Sequence, residues 1–236
     1  MKIGIMQPYF LPYIGYWQLL NAVDKYVIYD DVNYINRGWI NRNRILVSGK
    51  DKLITLSLKG ASQNKLINEI DLSEDETYKK KLLKTIEENY KKAHFFKEVF
   101  PVIDKIIEND EKNLAKYLEF SIKEICKYLD IKTELLLSSN LKKDNFLKGE
   151  DKILAICKEL EGTEYYNAIG GQELYSFKRF EQSKLKLKFL KTDEIIYKQF
   201  NNEFISNLSI LDVLMFNSKE KVKEFLNNYS LIQEKL

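Results

Sequence analysis

The chain has 236 residues, of which 44% are apolar and 31% charged, a balance typical of a globular protein. Its 38 basic and 35 acidic residues leave a net charge of +3 and mostly alternate, which argues against a nucleic-acid-binding protein. Two cysteines, Cys126 and Cys157, make a disulfide framework unexpected and fit a reducing cytoplasm. The sequence predicts neither a signal peptide nor a membrane-spanning helix.

The first elements read as strand, loop, helix and strand. Lys2–Met6 is predicted to be a buried strand, and the loop Gln7–Pro12 leads from it to a helix at Gly15–Val23. Lys25–Tyr29 is predicted to be a second strand. This order predicts a parallel βαβ unit.

A polar, aromatic and irregular segment follows at Asp30–Arg42. Two strands are predicted next, at Arg44–Val47 and Lys52–Leu58, and a turn at Ser48–Asp51 joins them. A further short strand is predicted at Ile67–Ile70.

The middle of the chain is predicted to be helical. Ser73 and Glu76 have the spacing of a capping box, so a helix is expected from there to about Lys92. Two more helices are predicted at Phe95–Asn109 and Glu111–Leu129. We interpret roughly residues 73–130 as a helical insertion within a single domain of residues 1–236.

The last hundred residues alternate strands and helices. The predicted strands are Glu134–Leu137, Glu164–Ala168, Lys184–Leu190 and Ile195–Gln199. The predicted helices are Gly149–Glu161, Gln172–Gln182 after a turn at Ile169–Gly171, and one or two within Leu208–Leu226. The alternation predicts an α/β fold with a mostly parallel sheet.

The first loop resembles nucleotidyltransferases, whose His-x-Gly-His signature stands where this chain has Tyr13 and Tyr16 around Gly15. In open parallel sheets, ligands bind outside the carboxyl ends of strands and beside helix N-termini. Tyrosine is not a cation near neutral pH, but it can stack on a base or sugar, or hydrogen-bond to one. Ordinary packing of both tyrosines is the alternative interpretation.

The second loop, YDDVNYINRGWINRNRI, is unusually rich in hydrogen-bonding side chains. Asp30 and Asp31 could bind Mg²⁺ or act as a general base, and the arginines suit phosphate or carboxylate. Because this loop also follows a strand, it should face the first loop. The alternative is a solvated loop with local salt bridges.

Two later motifs carry less specific signals. Asn167, Gly170 and Gly171 lie between a strand and a helix, where a glycine pair can cradle a phosphate or simply form a tight turn. Asp212 lies among apolar residues, where it either anchors an arginine or has another structural role. His94 is the only imidazole and stands beside two phenylalanines, so we interpret it as structural.

Four stretches resemble, in order, the characteristic stretches of the WbqC-like family: MQPYFLPYIGYWQLL, VDKYVIYDDVNYINRGWINRNRI, AIGGQELY and LSILDVLMFN. That family is associated with gene clusters for O-antigen, a part of lipopolysaccharide, and for other surface glycans. The resemblance implies work on a nucleotide-activated deoxyamino sugar, and some members are described as amino-acid transferases acting on such sugars. It carries over no catalytic residues.

Three functions follow as hypotheses: an acyl or aminoacyl transferase acting on a nucleotide-linked amino sugar, a nucleotidyltransferase-like enzyme, or a non-catalytic sugar-nucleotide-binding subunit. The expected partner is a nucleotide sugar or another phosphorylated small molecule. The aspartate pair suggests Mg²⁺ as a cofactor. The sequence leaves open whether the protein forms a homo-oligomer. The predicted catalytic residues are Asp30, Asp31 and Tyr16. The predicted substrate-binding residues are Gln7, Tyr9, Tyr13, Gly15, Tyr34, Arg37, Trp39, Asn41, Arg42, Arg44, Asn167, Gly170 and Gly171.

Overall fold

The computed structural model describes residues 1–201 and 203–233. Its strands are β1 Lys2–Met6, β2 Lys25–Ile28, β3 Arg42–Val47, β4 Lys50–Thr55, β5 Leu58–Lys59, β6 Asp71–Leu72, β7 Glu134–Leu137, β8 Glu164–Ala168, β9 Lys186–Thr192 and β10 Tyr229–Ile232. Its α-helices are α1 Ile14–Asn21, α2 Glu76–Tyr90, α3 Phe96–Ile107, α4 Leu114–Leu129, α5 Gly149–Glu159, α6 Phe177–Gln182, α7 Ile210–Phe216 and α8 Lys219–Phe225. Short 3₁₀-helices cover Ile67–Glu69, Ser138–Asn140 and Ile169–Leu174.

Six strands form the central sheet, in the order β10-β9-β8-β1-β2-β7. Neighbours pair in parallel, except that β10 runs antiparallel to β9 at one edge. The predicted α/β fold with a mostly parallel sheet is therefore confirmed, and β1, α1 and β2 form the predicted βαβ unit. The likeness of this unit to nucleotidyltransferases stays a prediction.

Helices cover both faces of the sheet, as a parallel sheet with apolar side chains on both faces requires. On one face, Ile3, Ile5 and Val27 are buried in a cluster that includes residues of α5 and α6. On the other face, Tyr26 and Ile28 are buried in a cluster that includes residues of α1, α4 and α7. Adjacent residues of one strand thus belong to opposite layers, as the two-residue period of a strand dictates.

The segment between β2 and β7 contains a hairpin and three helices. Strands β3 and β4 pair in antiparallel fashion around a turn at Ser48 and Gly49, both of which have positive φ angles. Helices α2, α3 and α4 follow in sequence after β6. Asp75, not Ser73, caps α2, since its side chain accepts a hydrogen bond from the backbone N–H of Tyr78.

Three predicted elements are wrong. Ile67–Ile70 is not a strand, because Ile67–Glu69 forms a 3₁₀-helix that the Glu69 side chain caps. Gln172–Gln182 is not one helix, because the 3₁₀-helix ends at Leu174 and α6 begins at Phe177. Ile195–Gln199 is not a strand. The buried Gln199 side chain exchanges two hydrogen bonds with the backbone of Ile205, which holds this segment as a loop.

Asp212 has an entirely neutral set of partners rather than the arginine considered from the sequence. Its carboxylate accepts hydrogen bonds of 2.7 Å from the hydroxyls of Tyr90 and Tyr197 and from the side-chain amide of Gln199. Burial raises the pKa of Asp212 although these donors oppose the shift. Asp212 is thus the centre of a buried network that joins Tyr90 at the end of α2, Tyr197 and Gln199 to α7.

The topology brings several strand ends to one edge of the sheet. β1, β2, β7 and β8 are parallel, so the segments after Met6, Ile28, Leu137 and Ala168 leave from the same edge. The chain passes from β1 to one face and from β8 to the other, which makes this edge a switch point of the kind at which open α/β sheets bind ligands. Within the described residues, no helix has both the length and the apolar character needed to cross a membrane.

Candidate functional site

Tyr16 lies in the core and not at the sheet edge. Its ring is buried against Tyr9, Trp17 and Tyr26. Its hydroxyl donates a hydrogen bond of 3.3 Å to the backbone carbonyl of Gln7. Burial raises the pKa of Tyr16 far above its usual value. We therefore correct the catalytic role predicted for Tyr16: it packs beneath the first loop.

Gly15 serves close packing. A Cβ atom at this position would lie 2.5 Å from the ring of Tyr13 and 2.6 Å from the hydroxyl oxygen of Thr192. The absence of a side chain therefore lets α1 approach β9 while the Tyr13 ring folds back over the helix start. This packing accounts for the glycine at position 15 without the substrate-binding role predicted for it.

The first and second loops meet, as their positions after β1 and β2 predicted. The Asn43 side chain donates hydrogen bonds to the carbonyls of Phe10 and Leu11, and the N–H of Phe10 donates to the carbonyl of Ile40. Between the loops lies a cleft of about 270 Å³ that we call the aromatic pocket. Its lining residues are Tyr9, Pro12, Tyr13, Trp39, Asn43, Arg44 and Asn207.

Trp39 and Arg44 give the aromatic pocket its chemistry. The Trp39 ring is 43% exposed, and the guanidinium carbons of Arg42 and Arg44 each lie 5.9 Å from its centroid. Arg44 pairs with Asp51 at 3.1 Å through Nη1, whereas its buried Nε has no acceptor among the described residues. An exposed aromatic side chain beside a guanidinium suits a ring-shaped ligand that carries an anionic group.

Other predicted residues of the second loop hold the loop together. Tyr34 donates a hydrogen bond of 2.8 Å to the Asn41 side chain, which in turn donates to the carbonyl of Leu56. The Arg42 guanidinium donates to the backbone carbonyls of Gly38 and Arg37. Tyr34, Asn41 and Arg42 thus shape the loop that presents Trp39. Arg37 is exposed at a positive φ angle of 60°.

The two aspartates have different partners, and only Asp31 lines a cleft. Asp30 is buried, and its carboxylate accepts hydrogen bonds from the N–H and the hydroxyl of Ser139 and from the Asn68 side chain. Asp31 lines a second cleft of about 440 Å³, which we call the lysine pocket. Its lining residues are Tyr29, Asp31, Val32, Asn33, Leu66, Asn68, Ser139, Asn145, Leu147, Lys148, Gly149 and Lys152.

Asp31 is the carboxylate of a buried ion cluster. Its Oδ2 lies 2.8 Å from Lys143 Nζ and 3.1 Å from Lys152 Nζ. Burial alone would raise the pKa of Asp31, but the Lys143 hydrogen bond and the Lys152 charge outweigh it and hold the pKa below its usual range. A carboxylate stabilised in this way is a weak general base, so Asp31 is better suited to positioning the lysines than to accepting a proton.

The glycine pair after β8 lies at the same edge of the sheet. The Asn167 side chain is buried; it accepts a hydrogen bond from the N–H of Ala168 and donates to the hydroxyl of Tyr165. A Cβ atom at Gly171 would lie 3.2 Å from the side-chain Oδ1 of Asn167, whereas one at Gly170 would meet nothing within 4 Å. Asn167 and Gly171 thus have packing roles, and Gly170 borders open space.

The sequence analysis missed Lys143, Lys148 and Lys152. They are three of 38 basic residues, and only the stretch LKKDNFLKGEDK after β7 marked them. The spacing of Lys148 and Lys152 is four residues across the start of α5, which was a signal that both lie on one side of that helix. For the expected Mg²⁺, residues 1–201 and 203–233 contain no group of three or more His, Cys, Asp or Glu side chains that could hold a metal ion.

The remaining candidates have structural roles. Cys126 and Cys157 are buried, and burial raises the pKa of each thiol to about 12, so both behave as apolar core residues. The His94 ring packs edge-on against Phe95 with 4.7 Å between centroids.

A family model described as the WbqC-like protein family matches residues 7–224. This chain belongs to the WbqC-like family. The match includes both early loops, α5 and the glycine pair. No solved structure matches the chain.

A curated relative of this WbqC-like protein is the uncharacterized protein Rv1507c of Mycobacterium tuberculosis. The two chains are 30% identical over 230 residues, which is 95% of this chain and 97% of the relative. The likeness therefore extends over nearly the whole of both proteins and supports the assignment to the family.

We predict that Gly15→Ala lowers the free energy of unfolding by about 1–3 kcal/mol, because the new methyl group must displace the Tyr13 ring or Thr192. Gly170→Ala is the matched control, since its methyl group would enter open space. Urea denaturation of both variants checks the difference. Equal stability of the two variants would contradict the packing role of Gly15.

We predict that Asp31→Asn lowers the free energy of unfolding by about 3 kcal/mol at pH 7, because it leaves two buried ammonium groups without their carboxylate. The folded pKa of Asp31 lies below the unfolded value, so its stabilising contribution is present above about pH 4 and is lost as the pH falls through the folded pKa. The difference between wild type and variant should therefore shrink in acid.

Urea denaturation at pH values from 7 to 3 measures this difference. Asp51→Asn is the control, because Asp51 belongs to a partly exposed pair with Arg44 and should change stability by less than about 1 kcal/mol. A difference for Asp31→Asn that stays constant down to pH 3 would show that the ion cluster is not its cause.

Proposed function

We propose that this WbqC-like protein is an enzyme of surface-glycan biosynthesis that acts on a nucleotide-activated deoxyamino sugar. In this proposal it transfers an amino-acid or acyl group to the amine of the sugar. The observation that carries the proposal is the aromatic pocket, whose lining combines the rings of Tyr9, Tyr13 and Trp39 with the Arg44 guanidinium beside the loop that follows β1. The resemblance to the family supplies the glycan context.

The lining of the aromatic pocket supports a sugar derivative as the ligand. Ligand sites are concave, mostly apolar or aromatic, and carry a few well-placed polar groups. Here the rings of Tyr9, Tyr13 and Trp39 supply the apolar walls, and Asn43 and Arg44 supply the polar groups. The Arg44 guanidinium, which lines this pocket, can pair with a carboxylate oxygen of the ligand.

The proposed reaction forms one amide bond. The amine nitrogen of the sugar attacks the carbonyl carbon of an activated acyl donor, the leaving group of the donor departs, and the nitrogen loses one proton. Burial raises the pKa of Tyr9 and of Tyr13, which line the aromatic pocket, so neither tyrosine is a base near neutral pH. The leaving group or solvent therefore takes the proton, and the pocket contributes by positioning the reactants.

We predict that a nucleotide-linked amino sugar stabilises the protein against heat, by about 2.7 kcal/mol at 100 times its Kd. Trp39→Ala should abolish most of this stabilisation because it removes the exposed wall of the aromatic pocket. Ile196→Ala is the matched control, since it truncates an exposed apolar side chain outside that lining. A thermal-shift panel of nucleotides and nucleotide sugars measures the effect.

Mass spectrometry of the same mixtures with aminoacyl and acyl donors then tests for the amide product. Binding without product under every donor would leave a sugar-nucleotide-binding subunit and contradict the enzyme proposal. Equal stabilisation of wild type and folded Trp39→Ala would contradict the assignment of the aromatic pocket.

A further inference from the structure

We infer that the lysine pocket is a binding site for phosphoryl groups, and that Lys152 and Lys148 are its cationic ligands. The identity of the phosphorylated molecule as a nucleotide sugar rests on the proposed function. The anion site itself rests on the charge and hydrogen bonding of the lysine pocket. Neither lysine was among the residues that the sequence suggested.

The carboxylate of Asp31 is shared between two buried lysines. The Lys143 side chain is fully buried, Lys152 is 5% exposed, and both approach the same oxygen of Asp31, whose side chain is 9% exposed. Of the two, Lys152 is the one that lines the pocket. The buried carboxylate of Asp30 lies behind the same lining, where it accepts hydrogen bonds from Ser139 and Asn68, so the formal charges of the two aspartates and the two lysines balance. The pocket therefore presents a fixed ammonium group whose carboxylate is already shared, and such a group favours a further anionic acceptor.

The Lys152 ammonium group has a hydrogen-bond donor to spare. An ammonium group has three N–H donors. The Lys152 Nζ atom has two oxygen acceptors in the described residues, Asp31 Oδ2 at 3.1 Å and the Asp31 backbone carbonyl at 2.7 Å. Its third donor has no oxygen partner there, and the Tyr29 ring covers one side of the group with its centroid 5.2 Å from Nζ. An acceptor from a ligand would complete the set.

The start of α5 borders the same cleft. Helix α5 has eleven residues, its first residue Gly149 lines the pocket, and no side chain caps its N-terminus at Lys148. Free N–H groups and the helix dipole favour an anion at such an end. The acidic residues of the first turn, Glu150 and Asp151, do not take this place, since both pair with Arg179.

The size and remaining lining fit a phosphate or diphosphate. The cleft has a volume of about 440 Å³ and is lined by the side-chain amides of Asn68 and Asn145 as well as by the lysines. Each amide group has two N–H donors, of which Asn68 uses one on Asp30, so donors remain for the several oxygens of a phosphoryl group. The fixed ammonium, the helix N-terminus and the amides together favour a multivalent phosphate over a single carboxylate.

Isothermal titration calorimetry with inorganic pyrophosphate tests the inference. Wild type should bind pyrophosphate more tightly than acetate, and the affinity should fall as sodium chloride is raised. Lys152→Met should weaken binding about tenfold or more, since it removes a charge-assisted hydrogen bond. Lys148→Met should weaken binding in the same direction, and it is the safer variant because Lys148 is exposed and outside the ion cluster.

Lys158→Met is the matched control, because it removes the same charge from an exposed position of α5 that does not line the pocket. It should bind pyrophosphate like wild type. No binding by wild type at millimolar pyrophosphate would overturn the inference, as would unchanged affinity in both folded pocket variants. Equal affinity for acetate would also overturn it, since that would indicate a general carboxylate site.

The outcome is separable from that of the proposed function. Pyrophosphate binding that depends on Lys152 and Lys148, without any response to nucleotide sugars, would support the phosphoryl site and contradict the proposed substrate. Binding of a nucleotide sugar that is unaffected by Lys152→Met and Lys148→Met would support the proposed substrate and contradict the phosphoryl site.

Discussion

The carboxylate of Asp31 joins the segment after β2 to two lysines that lie far along the chain. Asp31 follows β2, Lys143 lies in the loop after β7, and Lys152 lies in the second turn of α5. Because these ammonium groups are buried, their desolvation is offset only if the carboxylate stays ionised and in place. The cluster therefore fixes the carboxyl ends of two neighbouring strands against a helix start. The position of the lysine pocket depends on it.

One loop segment supplies residues to both pockets. Asp31 contributes to the lysine pocket, whereas Trp39, eight positions later, contributes to the aromatic pocket. The hydrogen bonds of Tyr34, Asn41 and Arg42 hold this loop in its shape. The density of polar side chains that marked this loop in the sequence thus has two causes. Some side chains build the loop, and fewer than expected are presented to a ligand.

The βαβ unit, the parallel sheet and the edge where the early loops meet were predictable from the sequence, because buried parallel strands appear as short apolar runs such as Lys2–Met6. Side-chain roles were less predictable. Tyr16 and Gly15 belong to a motif that resembles a ligand loop, yet the Tyr16 hydroxyl bonds to a backbone carbonyl and Gly15 makes room for Tyr13. Only the tertiary contacts distinguish these roles.

The lysines show the opposite case, because they line or support a pocket but were not predicted from the sequence. Lys143 and Lys152 appear in sequence as ordinary members of a charged stretch, and their burial depends on the pairing of β2 with β7, which local spacing does not reveal. The strand predicted at Ile195–Gln199 failed for a related reason, since the Gln199 side chain is bound to the backbone of Ile205 and to the carboxylate of Asp212, both outside the predicted strand. In each case, the structure depends on contacts with residues outside the local segment.

A crystal structure of the protein with a nucleoside diphosphate sugar tests the central claim most directly. The account predicts phosphoryl oxygens within about 2.7–2.9 Å of Lys152 Nζ, the usual length of such charge-assisted hydrogen bonds, and next to the start of α5. Phosphates bound instead to Arg44 in the aromatic pocket, with the lysine pocket occupied only by water, would contradict it.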